Sequence, residues 1–181
     1  MCLIRPIRSD NIKQLRQVGL HITLAIFYLS LFLWIFFDRS SSHFQFRSSW
    51  HWFPDWNLTF AIGIDGISLF FILLTTFLVP MCLLASWKNV QYKVKSYLVL
   101  FLGLEWALLV VFSTLDVRTF FIFFESVLIP MVFLIGMWGS RSRKVRANYY
   151  FFLYTLFGSL FMLAGLLTLS LIHISEPTRP Y

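Results

Sequence analysis

The sequence predicts an all-α fold, a multi-span transmembrane helix bundle with about five spans. Of the 181 residues, 59% are hydrophobic and only 13% are charged, whereas soluble domains carry about 25% charged residues. The apolar residues fall into five blocks, each near the roughly 20 residues that a helix needs to cross a hydrocarbon core. Apolar and polar residues do not alternate within these blocks, which argues against a transmembrane β-barrel.

The predicted spans are joined by connections of very different length. Only residues 114–118 separate the third span from the fourth, so we expect these two spans to form a tight antiparallel hairpin. The last span carries Gly158 and Ser159, small residues that favour close helix packing. In chain order, the five spans are residues 19–37, 67–86, 97–113, 119–138 and 149–171.

Basic residues are concentrated in alternate connections. The N-terminal segment and loops 87–96 and 139–148 hold eleven of the fifteen Lys and Arg residues. The positive-inside rule places these three segments on the cytoplasmic or matrix side. The net charge of +7 is therefore a topology signal, and we expect no nucleic-acid partner. Cys2, Cys82 and the four His residues show no metal-ligand spacing, so we predict no metal site.

The longest connection, residues 38–66, joins the first two spans on the opposite side. It contains Trp50, Trp52, Phe53 and Trp56 within seven residues. Aromatic residues mixed with polar ones are typical of the headgroup level, so we expect this loop to lie along the membrane surface. A carbohydrate-binding or ligand-binding platform is the alternative, although interfacial anchoring already accounts for the aromatic residues.

Glu105 and Glu125 are the only charged residues within the apolar blocks. A carboxylate at membrane depth is costly and persists mainly where it faces a protein interior or a water path. Counted from the turn at Asp116, the two glutamates lie at similar depth, on helices that we expect to face each other. Two carboxylates in one low-dielectric layer should not both be ionised, so we predict that they form a proton relay. The alternative is that each is a hydrogen-bonded core residue that fixes the helix register.

Two further features bear on that relay. Pro130 follows Glu125 by five residues and removes the usual backbone donor of the Ser126 carbonyl. We expect a kink at this point, with a freed carbonyl next to the carboxylate. None of the spans contains a Lys or Arg residue, so a counter-ion for the glutamates must come from elsewhere.

Four motifs in chain order, together covering about residues 58–168, resemble a known family. They are GIDGISLF at 63–70, FFESVLIPM at 123–131, WGSR at 138–141 and FLYTLFGS at 152–159. The family is subunit 4 of proton-pumping NADH:ubiquinone oxidoreductase (respiratory complex I), an antiporter-like membrane-arm subunit, and the mitochondrial form is the most similar.

This resemblance implies that the spans are the second to sixth helices of an antiporter-like fold of about fourteen helices. It implies that Glu125 pairs with a lysine on the seventh helix and that Glu105 lies beside that pair. The implied activity is proton translocation coupled to NADH oxidation and ubiquinone reduction in the respiratory electron-transport chain. The implied location is the mitochondrial inner membrane, with a bacterial plasma membrane as the alternative.

The resemblance also implies which molecules this chain contacts. Its partners would be the other membrane-arm subunits and the lipid bilayer, and protons would be its cargo. We expect no cofactor on this chain, because NADH and ubiquinone are used by the whole complex. No glycine-rich dinucleotide fingerprint or cysteine cluster is present in the sequence, in agreement with that expectation.

The sequence departs from the family pattern at both ends. Residues 1–168 are predicted to form a single membrane domain that is only part of the first antiporter-like repeat, without the seventh-helix lysine. Residues 169–181 resemble a translated sequencing adapter, and we expect them to be an atypical tail. We therefore expect the isolated fragment to be inactive. The alternatives are a subunit of a multisubunit cation/proton antiporter and a non-pumping structural membrane fragment.

Overall fold

The computed structural model describes residues 12–38, 43–53, 58–139 and 143–175. The helices there are α1 (Ile12–Phe36), α2 (Gly66–Ala85), α3 (Val94–Ser113), α4 (Val117–Trp138) and α5 (Lys144–Ser175), and the strands are β1 (Gln45–Phe53) and β2 (Leu58–Ile64). All five helices are long and apolar enough to cross a membrane. This confirms the predicted fold class and the predicted number of spans.

All five helices begin earlier than their apolar blocks, three of them by at least three residues. Helix α1 starts seven residues before the predicted span, α3 three residues before and α5 five residues before. The added residues include Lys and Arg, whose long apolar stems let a charged end group reach the membrane interface. A helix can therefore continue through residues that an apolar window excludes.

Helices α2 and α4 both begin at an aspartate cap. The Asp65 carboxylate accepts a hydrogen bond from the Ile67 amide (2.7 Å), and the Ser68 hydroxyl accepts one from the Asp65 amide (2.9 Å). At α4, the Asp116 carboxylate accepts a hydrogen bond from the Arg118 amide (3.2 Å). These bonds satisfy amides that have no partner within the helix, which gives the GIDGIS sequence a structural role.

Helices α1, α2 and α3 pack together as a three-helix bundle. A glycine allows α1 to approach α3 closely, because a Cβ atom at Gly19 would lie 2.9 Å from Leu98 Cδ2. Between α2 and α3, the rings of Phe71 and Phe112 stack with their centroids 5.2 Å apart. This bundle encloses the buried part of the candidate site.

The connection between α1 and α2, for which the sequence predicts only a loop along the membrane surface, contains a β-hairpin. Strands β1 and β2 are antiparallel, with Trp50 opposite Phe60 and their rings stacked at 6.3 Å. The sequence signal is the apolar residue at every second position of β2, the period of a strand. Trp50 is exposed, and Trp56 lies outside the described residues. The placement of this segment along the membrane surface stays a prediction.

The hairpin is joined to the short turn between α3 and α4, residues 114–116. The Leu115 amide donates to the Ala61 carbonyl (2.9 Å), and β2 forms a further isolated bridge with Thr114. A Cβ atom at Gly63 would lie 2.8 Å from Leu115 Cδ1, so a glycine permits this close approach. Strand β2 is therefore held on both edges, and the predicted tight turn is confirmed.

Arg16 connects the start of α1 to the turn that follows α2. Its guanidinium donates to the carbonyls of Trp87 (2.5 Å) and Val90. The same group lies over the Trp87 ring, 5.9 Å from its centroid. Carbonyls at and beyond a helix C-terminus lack helical partners, so this side chain supplies donors that the turn itself does not provide.

The chain divides into two compact units, Met1–Leu134 and Ile135–Tyr181. In the second unit, Lys144 Nζ donates to the Met137 carbonyl near the end of α4 (3.1 Å). A Cβ atom at Gly136 would lie 2.9 Å from Asn148 Nδ2, which brings the end of α4 close to α5. The single domain over residues 1–168, the atypical tail over residues 169–181 and the sidedness of the loops stay predictions.

Candidate functional site

Glu105 lies in the middle of α3 with its side chain fully enclosed. Its exposed fraction is 0%, and neither carboxyl oxygen has a hydrogen-bond partner among the described residues. Leu98, Glu105 and Phe112 are seven residues apart, which is about two helical turns, so they share one face of α3. Leu98 contacts α1, and Phe112 packs on residues of α2. Glu105 therefore faces the interior of the three-helix bundle.

Three hydroxyl side chains are buried in the same bundle. Thr23 and Thr76 have exposed fractions of 0%, and that of Ser30 is 3%. Ser30 Oγ and Thr76 Oγ1 are 2.8 Å apart and link α1 to α2. We call Thr23, Ser30, Thr76 and Glu105 the buried polar cluster.

Two rows of side chains meet where α2 packs on α3. They are Leu69, Thr76 and Leu83 on α2, and Leu98, Glu105 and Phe112 on α3. Within each row the residues are about two turns apart, so each row occupies one helix face. At one end of the rows, Leu69 and Phe112 belong to the same packed cluster. At the other end, Leu83 and Leu98 line the same small cavity. The middle residues, Thr76 and Glu105, therefore lie at the same level of this helix contact.

Glu125 lies eight residues after the start of α4 and is partly exposed. Its Oε1 atom is enclosed and has no hydrogen-bond partner within the described residues. Phe123 and Val127 make the contact between α4 and α3, and the Phe123 ring lies edge-on to Trp106 at 5.3 Å. Glu125 is rotated by about 160° from both of these α4 residues around the helix axis. It therefore lies on the side of α4 away from α3.

Glu105 and Glu125 lie at the same depth but on different faces. Each is eight residues from the end of its helix at the shared turn, which corresponds to a rise of about 12 Å. The α3–α4 contact does not bring them together, because Glu105 faces α1 and α2 while Glu125 is directed away from α3. The expected approach of the two carboxylates is thus replaced by two separate environments.

Pro130 lies inside α4, and the helix is continuous through it. The Ser126 hydroxyl donates to the Ile122 carbonyl of the preceding turn (2.7 Å). The expected local disturbance at Pro130 does not interrupt the helix. The missing proline N–H still deprives the Ser126 carbonyl of its usual donor, one residue from Glu125.

Neither carboxylate has a cationic neighbour within the described spans. The basic residues of the helices lie near the helix ends, at Lys13, Arg16, Lys95, Arg118, Lys144 and Arg146. Among the described residues, the ion pair is that of Arg118 with Asp116, at 3.7 Å. A buried carboxylate without a partner is costly. Either glutamate is therefore protonated unless water or a cation from outside the described residues compensates its charge.

Thr23, Ser30 and Thr76 are not predicted from the sequence, although a signal for Thr76 is present. Pro80 follows Thr76 by four residues, as Pro130 follows Ser126. In both helices the proline removes the N–H group that would bind the carbonyl of the hydroxyl residue. The missing proline N–H that identifies the Ser126 carbonyl as lacking its donor identifies the Thr76 carbonyl in the same way.

The fold and the site have the features of membrane proteins that move protons or cations. Carboxylates inside spans, without fixed counter-ions, are typical of such paths. A family model described as "NADH:quinone oxidoreductase/Mrp antiporter, TM" matches residues 114–175, and one described as "NADH-ubiquinone oxidoreductase chain 4, amino terminus" matches residues 10–115. The chain belongs to the NADH-ubiquinone oxidoreductase chain 4 family, as the sequence motifs predict.

Individual relatives agree with this assignment. The chain is 55% identical to NADH-ubiquinone oxidoreductase chain 4 of Chondrus crispus, over 90% of this chain and 33% of the relative. It is 52% identical to the Arabidopsis thaliana protein of the same name, over 89% of this chain and 32% of the relative. The chain thus spans about a third of the length of the curated relatives it matches.

A solved structure has the same arrangement of helices. The respiratory complex I structure from Thermus thermophilus with bound NADH contains a chain that matches with a TM-score of 0.73 and 29% sequence identity. The match covers 87% of this chain and 32% of that chain. The helical membrane fold is therefore shared with a component of that complex.

Proposed function

We propose that this chain is part of a proton-translocating membrane-arm subunit of respiratory complex I. In that role it would help couple NADH oxidation and ubiquinone reduction by the whole complex to proton movement, with no redox chemistry on this chain. The observation that carries the proposal is the pair Glu105 and Glu125 at one depth, with both Glu105 oxygens and Glu125 Oε1 enclosed and without hydrogen-bond partners among the described residues. Family membership favours this role over that of a passive membrane fragment.

Glu125 is proposed as the proton-exchanging group. It lies on the side of α4 away from α3, so a partner from elsewhere in the subunit has access to a face that α3 does not use. The resemblance pairs it with a lysine from the part of the relatives that this chain does not cover. A cation that approaches and then leaves the carboxylate would change its affinity for a proton, which allows binding and release in sequence.

Glu105 is proposed as a second relay group beside that pair. Its carboxyl group is enclosed by α1 and α2 rather than by α4, so it would exchange protons with the interior of the three-helix bundle. The two carboxylates would therefore act in separate steps rather than as a directly bonded pair.

The proposed location is the mitochondrial inner membrane, where the chain would cross the bilayer several times. Relatives that carry the name NADH-ubiquinone oxidoreductase chain 4 include proteins from an alga, a plant, a fungus and an animal. The proposed partners are other membrane-arm subunits and the lipid bilayer. NADH and ubiquinone would bind elsewhere in the complex, and no cofactor or metal is assigned to this chain.

The test is to change Glu125 in the full-length subunit within an assembled complex. Both Glu125→Ala and Glu125→Gln should abolish coupled proton pumping, because each removes the titratable group. Glu125→Asp should retain part of the activity, since it keeps a carboxyl group on a side chain that is one methylene shorter. Glu105→Ala should reduce pumping less than Glu125→Ala. Quinone reductase rate and membrane-potential formation measure the effect, with assembly checked on native gels.

Ser126→Ala is the matched control, because Ser126 is adjacent to Glu125 and its hydroxyl donates to the Ile122 carbonyl of its own helix. Normal pumping by an assembled Glu125→Ala complex would overturn the proposed role. A membrane potential that depends on sodium rather than on NADH oxidation would favour the cation/proton antiporter instead.

A further inference from the structure

We propose that the buried polar cluster is a binding site for one water molecule, held between Glu105 and the Ser30–Thr76 hydroxyl pair. The site lies inside the three-helix bundle, on the opposite side of α3 from the contact with α4. It would give the Glu105 carboxyl group a hydrogen-bonded partner that α1 and α2 position. The water site itself does not depend on the proposed function. Only its consequence for proton relay by Glu105 rests on that proposal.

The first argument is the need for a partner. Both Glu105 oxygens are enclosed and have no hydrogen-bond partner in the part of the chain that the structure describes, and burying such a group without hydrogen bonds is costly. Thr76 lies at the same level on the facing row of α2, yet no direct hydrogen bond joins the two side chains. Groups that face each other at a distance too long for a direct bond are bridged by water where enough polar partners converge.

The second argument is the direction of the hydroxyl protons. A hydroxyl group has one proton to donate. The Ser30 hydroxyl donates to the Phe27 carbonyl at 2.7 Å, and the Thr76 hydroxyl lies within reach of the carbonyls of Ile72 (3.0 Å) and Leu73 (3.1 Å) as well as of Ser30 Oγ (2.8 Å). With the Ser30 proton on Phe27, a hydrogen bond between the two hydroxyls requires the Thr76 proton to point to Ser30. In that state Thr76 Oγ1 has a lone pair left to accept a proton. The chain of bonds then runs from Thr76 through Ser30 to a backbone carbonyl on α1.

The third argument is the proline in α2. Pro80 has no N–H group, so the Thr76 carbonyl lacks the donor that an uninterrupted helix would supply from that position. Pro80 and Thr76 are both buried, which keeps bulk water from this carbonyl. Thr76 therefore presents two acceptors, its carbonyl oxygen and Oγ1, at the level of Glu105. With the two carboxyl oxygens, this provides the two to four polar partners that a buried water requires.

The water would position Glu105 rather than carry protons across the membrane, because the hydroxyl chain ends at the Phe27 carbonyl. It would orient the carboxyl group within the bundle and offer it one exchangeable hydrogen bond. Thr76 and Ser30 are therefore positioning residues, and Glu105 remains the group that binds the proton.

The experiment uses the assembled complex with a full-length subunit and infrared difference spectroscopy of the carboxyl region. Glu105→Gln identifies the Glu105 band as the one that disappears. Thr76→Val, which keeps the shape but removes the hydroxyl, should shift that band to higher frequency. Thr76→Ser should restore its position. Exchange into H₂¹⁸O should shift an O–H stretching band of a bound water in the wild type, and that shift should be absent in Thr76→Val, since the bridging water is lost there.

Thr75→Val is the matched control. Thr75 is also buried and donates to the carbonyl four residues earlier, that of Phe71, at 2.8 Å, but it is not part of the Leu69–Thr76–Leu83 row. Its replacement should leave the Glu105 band unchanged. Pro80→Ala, which restores the missing N–H group, should shift the band in the same direction as Thr76→Val without removing a side-chain hydroxyl.

An unshifted band in Thr76→Val, or an equal shift in Thr75→Val, would overturn the water site. These results are separable from the proposed function. If Glu105→Gln pumps normally while the band still responds to Thr76→Val, the water site stands and the relay role of Glu105 fails. If Glu105→Gln stops pumping while Thr76→Val leaves the band unshifted, the relay role of Glu105 stands and the water site fails.

Discussion

Replacing Arg16 with methionine should loosen the junction between α1 and the turn that follows α2. Methionine keeps an apolar stem of similar length but removes both hydrogen bonds, to the carbonyls of Trp87 and Val90. A hydrogen bond to a charged group contributes about 1.5–3 kcal/mol. Because Arg16 is only half-buried, water can partly replace these bonds, and the expected loss of unfolding free energy is about 2–4 kcal/mol for the pair. Arg16→Lys should lose less, since it retains a charged donor without the planar fork.

The assay is reversible unfolding of the full-length subunit in bicelles by increasing amounts of SDS, followed by circular dichroism. Lys13→Met is the control, because Lys13 is exposed on the same helix three residues earlier and its replacement removes the same charge. Its unfolding midpoint should stay close to the wild-type value. Equal losses for Arg16→Met and Lys13→Met would refute the reasoning, because the effect would then come from charge alone.

Three other predictions concern the opposite end of the helix bundle and the membrane sidedness. Asp65→Ala should destabilise the start of α2 by about 1 kcal/mol, whereas Asp65→Asn should cost less because it keeps a capping oxygen; SDS unfolding of the full-length subunit measures both. Gly63→Val should displace the hairpin from Leu115 and lower the yield of assembled complex on native gels. Adding Leu115→Ala should recover part of that yield, and no recovery would show that the clash lies elsewhere. Cysteines introduced at Ser49 and Ser142 should react with impermeant reagents from opposite sides of intact vesicles, because basic residues concentrate in alternate loops; labelling from the same side would disprove the five-span topology.

The membrane spans are predictable because their signal is local. The composition of each apolar block by itself indicates a membrane span, and the length of the block is fixed by the thickness of the hydrocarbon core. The depth of Glu105 and Glu125 follows in the same way, since both are counted from one short turn. Their chemistry as intramembrane carboxylates is also visible without a structure, because no other charged residue lies within the blocks.

The environment of each carboxylate depends on contacts that no local pattern specifies. Ser30 and Thr76 are 46 residues apart in the sequence, and nothing around either residue identifies the other as its partner. Glu105 faces α1 and α2 rather than α4 because of packing along the whole of α3, with Gly19 and Phe112 at two ends of that contact. The helix face that a charged residue occupies is therefore a property of the assembled bundle.

The contact between β2 and the α3–α4 turn has a consequence for the biogenesis of the protein. The residues that pair with the second edge of β2 are synthesised more than fifty positions after it. When α1 and α2 have entered the bilayer with the hairpin between them at the surface, that edge still has unpaired backbone groups, which are open to association with other chains. The edge closes only after α3 has crossed the membrane completely and delivered Leu115 to the side where the hairpin lies. Correct insertion of the third helix is thus the step that completes a sheet made by residues inserted earlier.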